Sequence, residues 1–501
     1  MKSSRTSQKG LKQRTVSAMV WSAIGTSGAT IITFIANMVL ARLLMPEDFG
    51  CIGMLQIFIS VGDAFVGGGF GQALIQKKNP THVDYSTVFI WNLFASAVLY
   101  LVLFISAPSI ARFYNMPLLC KVLRLQSINL LIHAFIVVQN NQLRKQLRFR
   151  DLSIRNILAA STGTVIAIVV ALSGGGVWSL VASSLSSATM NVILLWKMSK
   201  WRPTWEFDWS SFKELFSFGG LIALSNMVER FFTHIQGVII GKWYSAGDMG
   251  YYSQASKLEQ IPNQTLSQIV SEVSFPVFSE LQNDISRLRQ GVKKNIQTLV
   301  FLNFPMCCLM YVVAAPLIHL LYGPKWDPSI PYFQILCIGG LVHSANSMNM
   351  NVVKALGKGK IYLFTQITKR VFRIITLVVG AFFGIKGLLW GVVVSRFFNY
   401  VLNAFINNRL INYGMFEQIK DISSTLLLAI IAGVFAFLVG LLPHMNQYII
   451  MLLQICVYLA VYLGASYSMK IEALFTYNDI LKGFIHSNSS AANKYDENDD
   501  S

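Results

Sequence analysis

Apolar runs about twenty residues long recur along the whole chain, and a run of that length with few charges has one stable form, a helix that crosses a bilayer and satisfies its own backbone. About fourteen such runs can be counted, centred near Thr30, Ile59, Ala97, Leu131, Val165, Leu185, Met227, Leu266, Met310, Gly340, Val378, Val394, Val434 and Val457. Barrel strands would alternate apolar and polar residues at every second position, and these runs do not. The expected fold is therefore all-α, a polytopic membrane protein with about 14 transmembrane helices. A chain that is 54% hydrophobic and 13% charged cannot be an ordinary soluble domain.

The net charge of +18 would suggest nucleic acid in a soluble protein, but here the cations gather in short loops. One set of loops carries Lys77 and Lys78, then Arg144, Lys145, Arg148 and Arg150, then Lys197, Lys200 and Arg202, then Arg287, Arg289, Lys293 and Lys294, then Lys358 and Lys360. The opposite loops hold scattered cations such as Arg112, Lys121, Lys325 and Lys386. The positive-inside bias puts the richer side in the cytoplasm, together with both termini, and leaves no reason to expect a nucleic-acid partner. The basic start, residues 1–14, leads into a run with no small-residue cleavage site, so it reads as the flank of a first span and not as a removable signal. Cys51, Cys120, Cys307, Cys308, Cys337 and Cys456 form no CxxC pair and read as small core residues, neither disulfides nor metal ligands.

Between the first two runs lies a charged elbow, Leu40-Ala41-Arg42-Leu43-Leu44-Met45-Pro46-Glu47-Asp48-Phe49-Gly50, and the chain repeats it as Ile240-Gly241-Lys242-Trp243-Tyr244-Ser245-Ala246-Gly247-Asp248-Met249-Gly250. Pro46 should stop the first helix, Asp48 cap the next, and Gly50 permit a tight start. Ala107-Pro108-Ser109-Ile110-Ala111-Arg112-Phe113-Tyr114 returns as Ala315-Pro316-Leu317-Ile318-His319-Leu320-Leu321-Tyr322, and Trp178 and Asn191 correspond to Trp390 and Asn403. A slowly growing spacing is what loop insertions leave in a duplicated block of six helices. Six is even, so the halves share one membrane orientation and a pseudo-twofold axis along the membrane normal. The organisation expected is a basic segment over 1–14, six helices over 15–203, six over 204–412, a further pair over 413–486 and a polar, disordered tail over 487–501. No loop is long enough for a soluble domain, and the sequence has no P-loop, zinc-protease helix or nucleophile elbow, so neither enzyme chemistry nor a cofactor or metal is expected. Gly67-Gly68-Gly69-Phe70-Gly71 is a weak phosphate-loop signal and fits close helix packing or a bend better.

Ionisable residues inside spans are costly, so each is a functional candidate. In the eighth run Ser253, Lys257, Gln260, Gln264, Gln268 and Ser271 recur at helical steps on one face. Arg396, Asn399, Asn403 and Asn407 do so in the twelfth. Gln366, Lys369, Arg370 and Arg373 occupy neighbouring turns of the eleventh, and Arg230 lies one turn from Asn226 and His234 in the seventh. The structural alternative is that such stripes seal helix to helix, or that Lys369 and Arg370 snorkel to headgroups. The cost of burying charge favours cavity lining for Arg230, Lys257 and Arg396. A polar cavity with excess cations suits a hydroxyl-rich anion, with arginine gripping phosphate oxygens in a bidentate fashion. Asp63 and Glu229 are the acidic candidates for binding a coupling proton or sodium ion, against the alternative of a structural salt bridge.

The elbow, in the form A-R-L-L-x-P-E-D-F-G and followed by Gln72-Ala73-Leu74-Ile75-Gln76-Lys77, resembles the polysaccharide-export branch of the multidrug/oligosaccharidyl-lipid/polysaccharide exporter superfamily, above all its lipopolysaccharide and colanic-acid type repeat-unit flippases. The resemblance covers nearly the whole chain. It implies two six-helix lobes around a cavity open alternately to each side of the bacterial inner membrane. It also implies an undecaprenyl-pyrophosphate-linked oligosaccharide as cargo, moved from the cytoplasmic to the periplasmic leaflet, other polysaccharide-assembly proteins as partners, and a final helix pair that grooves the lipid tail. No family residue list maps onto the cationic stripes. Two other readings compete: an ion-coupled drug antiporter of the same superfamily, expected to prefer acidic and aromatic cavity residues, and a membrane polymerase or ligase, expected to carry a sizeable charged periplasmic loop.

Overall fold

The computed structural model describes residues 2–67, 69–442 and 445–475, and among these it contains helices and short turns with no strand. The helices are α1 (Lys2–Leu43), α2 (Pro46–Gly67), α3 (Phe70–Gln76), α4 (His82–Phe113), α5 (Leu118–Gln126), α6 (Ile128–Lys145), α7 (Phe149–Leu172), α8 (Val177–Met198) and α9 (Trp209–Trp243). They continue as α10 (Ala246–Glu280), α11 (Ile285–Val312), α12 (Ala314–Leu321), α13 (Ser329–Gly340), α14 (His343–Ala355), α15 (Gly359–Ala381), α16 (Gly384–Ile411), α17 (Met415–Val439) and α18 (Gln447–Ser468). Every centre expected from hydropathy falls in one of them.

Ten stretches among the described residues are long and apolar enough to cross a membrane, fewer than the fourteen runs counted in the sequence. The helices outside that set are α9, α10, α15, the short α12 and the broken pair α13 and α14. The first three carry polar stripes, which lower their mean hydropathy without shortening them. Large apolar side chains that would be anomalous on a soluble surface are exposed along the spans, for instance Ile105, Val165, Leu221 and Leu427, as expected of faces that meet lipid tails.

The chain forms two compact units, Met1–Ser253 and Gln254–Ser501, so the structural division falls one long helix beyond the repeat boundary expected after residue 203. Glycine explains the difference. A Cβ on Gly69 would lie 1.8 Å from the carbonyl oxygen of Gly219, and one on Gly237 would lie 3.0 Å from that of Gly53. Helices α2, α3 and α9 therefore meet backbone to backbone within the first unit, which supports the close-packing reading of the glycine-rich stretch. The first unit also holds an aromatic core in which Phe70 stacks on Phe212 at 6.1 Å and Trp91 approaches Phe212 at 4.7 Å.

The two elbows fold alike. α1 ends at Leu43 and α2 begins on Pro46, while α9 ends at Trp243 and α10 begins on Ala246. Asp48 accepts a hydrogen bond from the Met45 amide at 3.0 Å, and Asp248 accepts one from the Ser245 amide at 3.2 Å. Each aspartate thus satisfies a backbone donor just ahead of its helix. The basic start, expected as a tail, is helical from Lys2 as part of α1. The polar tail over 487–501 lies outside the described residues.

In the second unit α17 and α18, the pair beyond the repeat, pack against α11. Tyr462 donates its hydroxyl proton to the Phe301 carbonyl at 2.8 Å, and Tyr458 donates to that of Ala429 at 3.0 Å. Buried phenols need such acceptors, and these two fasten α18 to α11 and α17. Short amphipathic helices accompany the long ones. In α5, Leu119, Val122, Leu123 and Gln126 are buried at helical spacing while Lys121 is exposed.

Candidate functional site

The first unit holds an ionisable cluster built from three helices. Asp63 on α2 lies 3.7 Å (Oδ1 to Nδ1) from His133 on α6, with the two side chains 41% and 36% exposed. Arg230 on α9 is exposed, and its charge acts on Asp63. Gly67, one turn beyond Asp63, makes room for the imidazole, since a Cβ there would lie 2.7 Å from His133 Cε1. Exposed charge on membrane helices is tolerated where water reaches it. Glu229, adjacent to Arg230, is exposed too. Elsewhere in the unit Arg155 is buried on α7 and donates to the Asn140 side chain at 2.7 Å, a pairing with no counterpart among the expected site residues.

The second unit holds a different arrangement. Arg396 on α16 donates both guanidinium nitrogens to Glu259 on α10, at 2.9 and 3.1 Å, and Glu259 is 1% exposed. Glu259 is held in turn by Asn263, whose amide donates to it at 2.9 Å, and the amides of Asn263 and Asn303 join α10 to α11. Gly339 and Gly340 line the pair from α13, where a Cβ on Gly340 would sit 2.8 Å from the Glu259 carboxylate. The guanidinium fork expected to grip a cargo phosphate is engaged by a carboxylate of the same unit.

The remaining polar stripes divide between open and closed faces. Lys257 and Gln264 are exposed on α10, and Gln260 links Ser256 to Gln264 along the helix at 2.7 and 3.2 Å. Lys369, Arg370 and Arg373 on α15 are half-buried. Asn399 is half-buried, whereas Asn403 is 2% exposed and donates to the Asn346 side chain at 2.9 Å. Asn407, fully buried, donates to Asn349 at 2.8 Å, and Asn349 exchanges hydrogen bonds with Gln418 on α17 at 3.0 and 3.1 Å. The structure therefore puts Asn403 and Asn407 in contacts between helices and not on an open face. A stripe of amides at helical spacing serves both ends equally well, and only the neighbouring helix decides which.

Sequence reasoning missed Glu259 and His133. Glu259 sits two residues from Lys257, off the stripe, and its signal was the polar pair Glu259 and Asn263 at i and i+4. His133 stands alone in an apolar run, where a lone histidine carries no pattern.

Fold and site together define a multi-pass, all-helical membrane protein with ionisable residues held on its long helices. A family model described as "Polysaccharide biosynthesis protein" matches residues 39–331, more than half of the chain, and the protein belongs to that family. Among curated relatives, the chain is 26% identical to the succinoglycan biosynthesis transport protein ExoT of Rhizobium meliloti, over 75% of this chain and 76% of that one. It is 24% identical to the lipopolysaccharide biosynthesis protein WzxC of Escherichia coli, over 79% and 81%. Among solved structures the fold matches the lipid II flippase MurJ in an inward closed conformation, with a TM-score of 0.75, 14% identity, and coverage of 92% of this chain and 100% of that one. The resemblance drawn from the elbow is borne out, and so is the all-helical membrane fold.

Proposed function

We propose that this protein flips undecaprenyl-pyrophosphate-linked oligosaccharide units from the cytoplasmic to the periplasmic leaflet of a bacterial inner membrane, with both termini in the cytoplasm, for cell-surface polysaccharide synthesis. Family membership, together with likeness to a relative named as a succinoglycan transport protein, is the observation that carries this reading. Physical chemistry supports it. A bare pyrophosphate in hydrocarbon would meet a barrier on the order of tens of kcal/mol, whereas one beside wetted arginine and lysine would not. Arg230 and Lys257 are exposed on long helices and can meet phosphate, while Gln260, Gln264 and Asn399 can pair with sugar hydroxyls. Arg370 and Arg373 on α15 add cations to the second unit, and Arg396 joins them when its carboxylate partner lets go. In this reading Asp63 and Glu229 bind a coupling proton or sodium ion. The lipid tail stays in the bilayer, against faces such as the exposed apolar surface of α17 and α18.

Deletion of the gene tests the reading. Lipid-linked oligosaccharide should accumulate in the cytoplasmic leaflet, where a membrane-impermeant lectin reaches it only from the inside of oriented vesicles. An unchanged leaflet distribution, with increased drug sensitivity instead, would overturn the proposal in favour of drug export.

A further inference from the structure

We infer that His133 and Asp63 form a proton-binding site whose occupancy sets the affinity of neighbouring Arg230 for a pyrophosphate diester, so that cargo and proton bind together. This rests on the reading above, in which a wetted arginine of the first unit takes the phosphate.

Three observations carry it. His133 Nδ1 faces Asp63 Oδ1 at 3.7 Å, beyond hydrogen-bond reach, and has no hydrogen-bond partner among the described residues. A neutral imidazole gains little from that position. A protonated one gains an ion pair with the carboxylate. Next, Gly67 leaves space for the ring where any side chain would collide with it, so the imidazole is seated beside Asp63 by the fold. Finally, Arg230 is the other charge acting on Asp63. The charges that act on the carboxylate are His133 from α6 and Arg230 from α9, where the titratable His234 also feels the arginine; α3, α4, α5 and α8, which also pack on α2, bring no further charge to bear on it among the described residues.

The charge count gives the mechanism. With His133 neutral, Asp63 and Arg230 cancel, and an anion arriving at Arg230 must compete with the carboxylate. One proton, taken up by the imidazole, turns the cluster from neutral to singly positive and gives the carboxylate a partner other than Arg230. Histidine is the side chain suited to gaining and losing a proton between about pH 5 and 8. Linkage is reciprocal, so an anion that binds the protonated cluster more tightly also raises its hold on the proton.

A dialkyl diester of pyrophosphate is the appropriate probe. It carries the two fixed negative charges of a lipid-linked cargo and has no ionisation of its own near neutrality, so any pH dependence belongs to the protein. Its dissociation constant would be measured on the full chain in nanodiscs at pH 6, 7 and 8. The wild type should bind about three- to tenfold more tightly at pH 6 than at pH 8, within the roughly hundredfold ceiling for one linked proton over that interval. His133→Gln should remain folded and bind with an affinity that no longer follows pH, and His133→Asn should repeat the result if the first variant expresses poorly. Asp63→Asn should bind more tightly at pH 8 and respond less to pH, and Arg230→Gln should lose most binding. A pH-independent wild type, no binding at any pH, or a His133 variant that keeps the full dependence would overturn the inference. Leaflet accumulation on gene deletion involves no pH term, so a flippase without this linkage would fail here and still pass there.

Discussion

The Cβ that Gly50 lacks would fall 1.8 Å from the carbonyl oxygen of Ala246, and the one that Gly250 lacks would fall 2.0 Å from that of Pro46. The two elbows thus cross reciprocally, each glycine against the first residue of the other's helix. Gly50 matters less for starting its own helix than for letting the other approach.

Contacts that short leave no room for a methyl group against rigid backbone. Gly50→Ala and Gly250→Ala should each destabilise the protein by about 1–3 kcal/mol or more, the usual cost of overpacking. Gly464 on α18 has nothing within 4 Å of its Cβ position, so Gly464→Ala should be neutral or stabilising by about 0.5–1 kcal/mol. Thermal unfolding in detergent, followed by size-exclusion fluorescence, would separate the three. Equal midpoints would show that the elbows do not pack this way.

The Glu259 and Arg396 pair should behave as a unit. Removing one partner strands the other charge, so Glu259→Gln and Arg396→Gln should each cost about 3–5 kcal/mol, and the double variant should cost clearly less than the two together. A double-mutant cycle on unfolding midpoints measures the coupling, and strict additivity would show that the two do not interact. Part of the cost is discounted, because the Arg396 side chain is 21% exposed and water screens it.

The joint between α12, the turn before α13, and α18 should sense pH. His319 hydrogen-bonds through Nδ1 to Gln447 at 3.1 Å and through Nε2 to Asp327. The bond to Gln447, followed by the bond and charge of Asp327, holds the imidazole above its ordinary value of 6.5. A raised folded-state value means that the stabilisation is fully present below about pH 6.5 and is lost as pH rises through the folded-state value. The unfolding midpoint should fall across that window in the wild type, and His319→Gln should flatten this part of the profile.

Much of this architecture was legible because hydropathy and helix punctuation are local properties. Pro46 and Asp48 mark the start of α2 by their own chemistry, and the matching break at Ala246 followed from the repeat. The short helices α3, α5 and α12 were not legible, since seven to nine residues make too few turns for a period to stand out. Nor was the unit boundary after Ser253, which depends on Gly69 meeting Gly219 across the fold, a contact that hydropathy does not encode. At the site, the cost of placing charge on membrane helices singled out Asp63, Arg230 and Arg396 in the sequence. It could not tell that Arg396 meets Glu259 while Arg230 remains exposed, because the partner of a charge lies on another helix.

That distinction makes the last prediction the most discriminating one. Arg230 and Asn403 were both candidates in the sequence, Arg230 the more strongly for its charge, yet one is exposed and the other is 2% exposed and bonded to Asn346. Arg230→Ala should leave the unfolding midpoint within about 0.5 kcal/mol of wild type, as surface substitutions do, while export of the cell-surface glycan falls severalfold. Asn403→Leu removes a hydrogen bond between α16 and α14 and strands the Asn346 side-chain oxygen, so it should cost about 0.6–1.7 kcal/mol, with export falling only as folded protein does. Export per folded molecule, from glycan immunoblots normalised to monodisperse protein, separates the two roles. If Arg230→Ala lost export only in proportion to folded protein, Arg230 would be structural and the ionisable cluster of the first unit would no longer be a candidate for the cargo's phosphates.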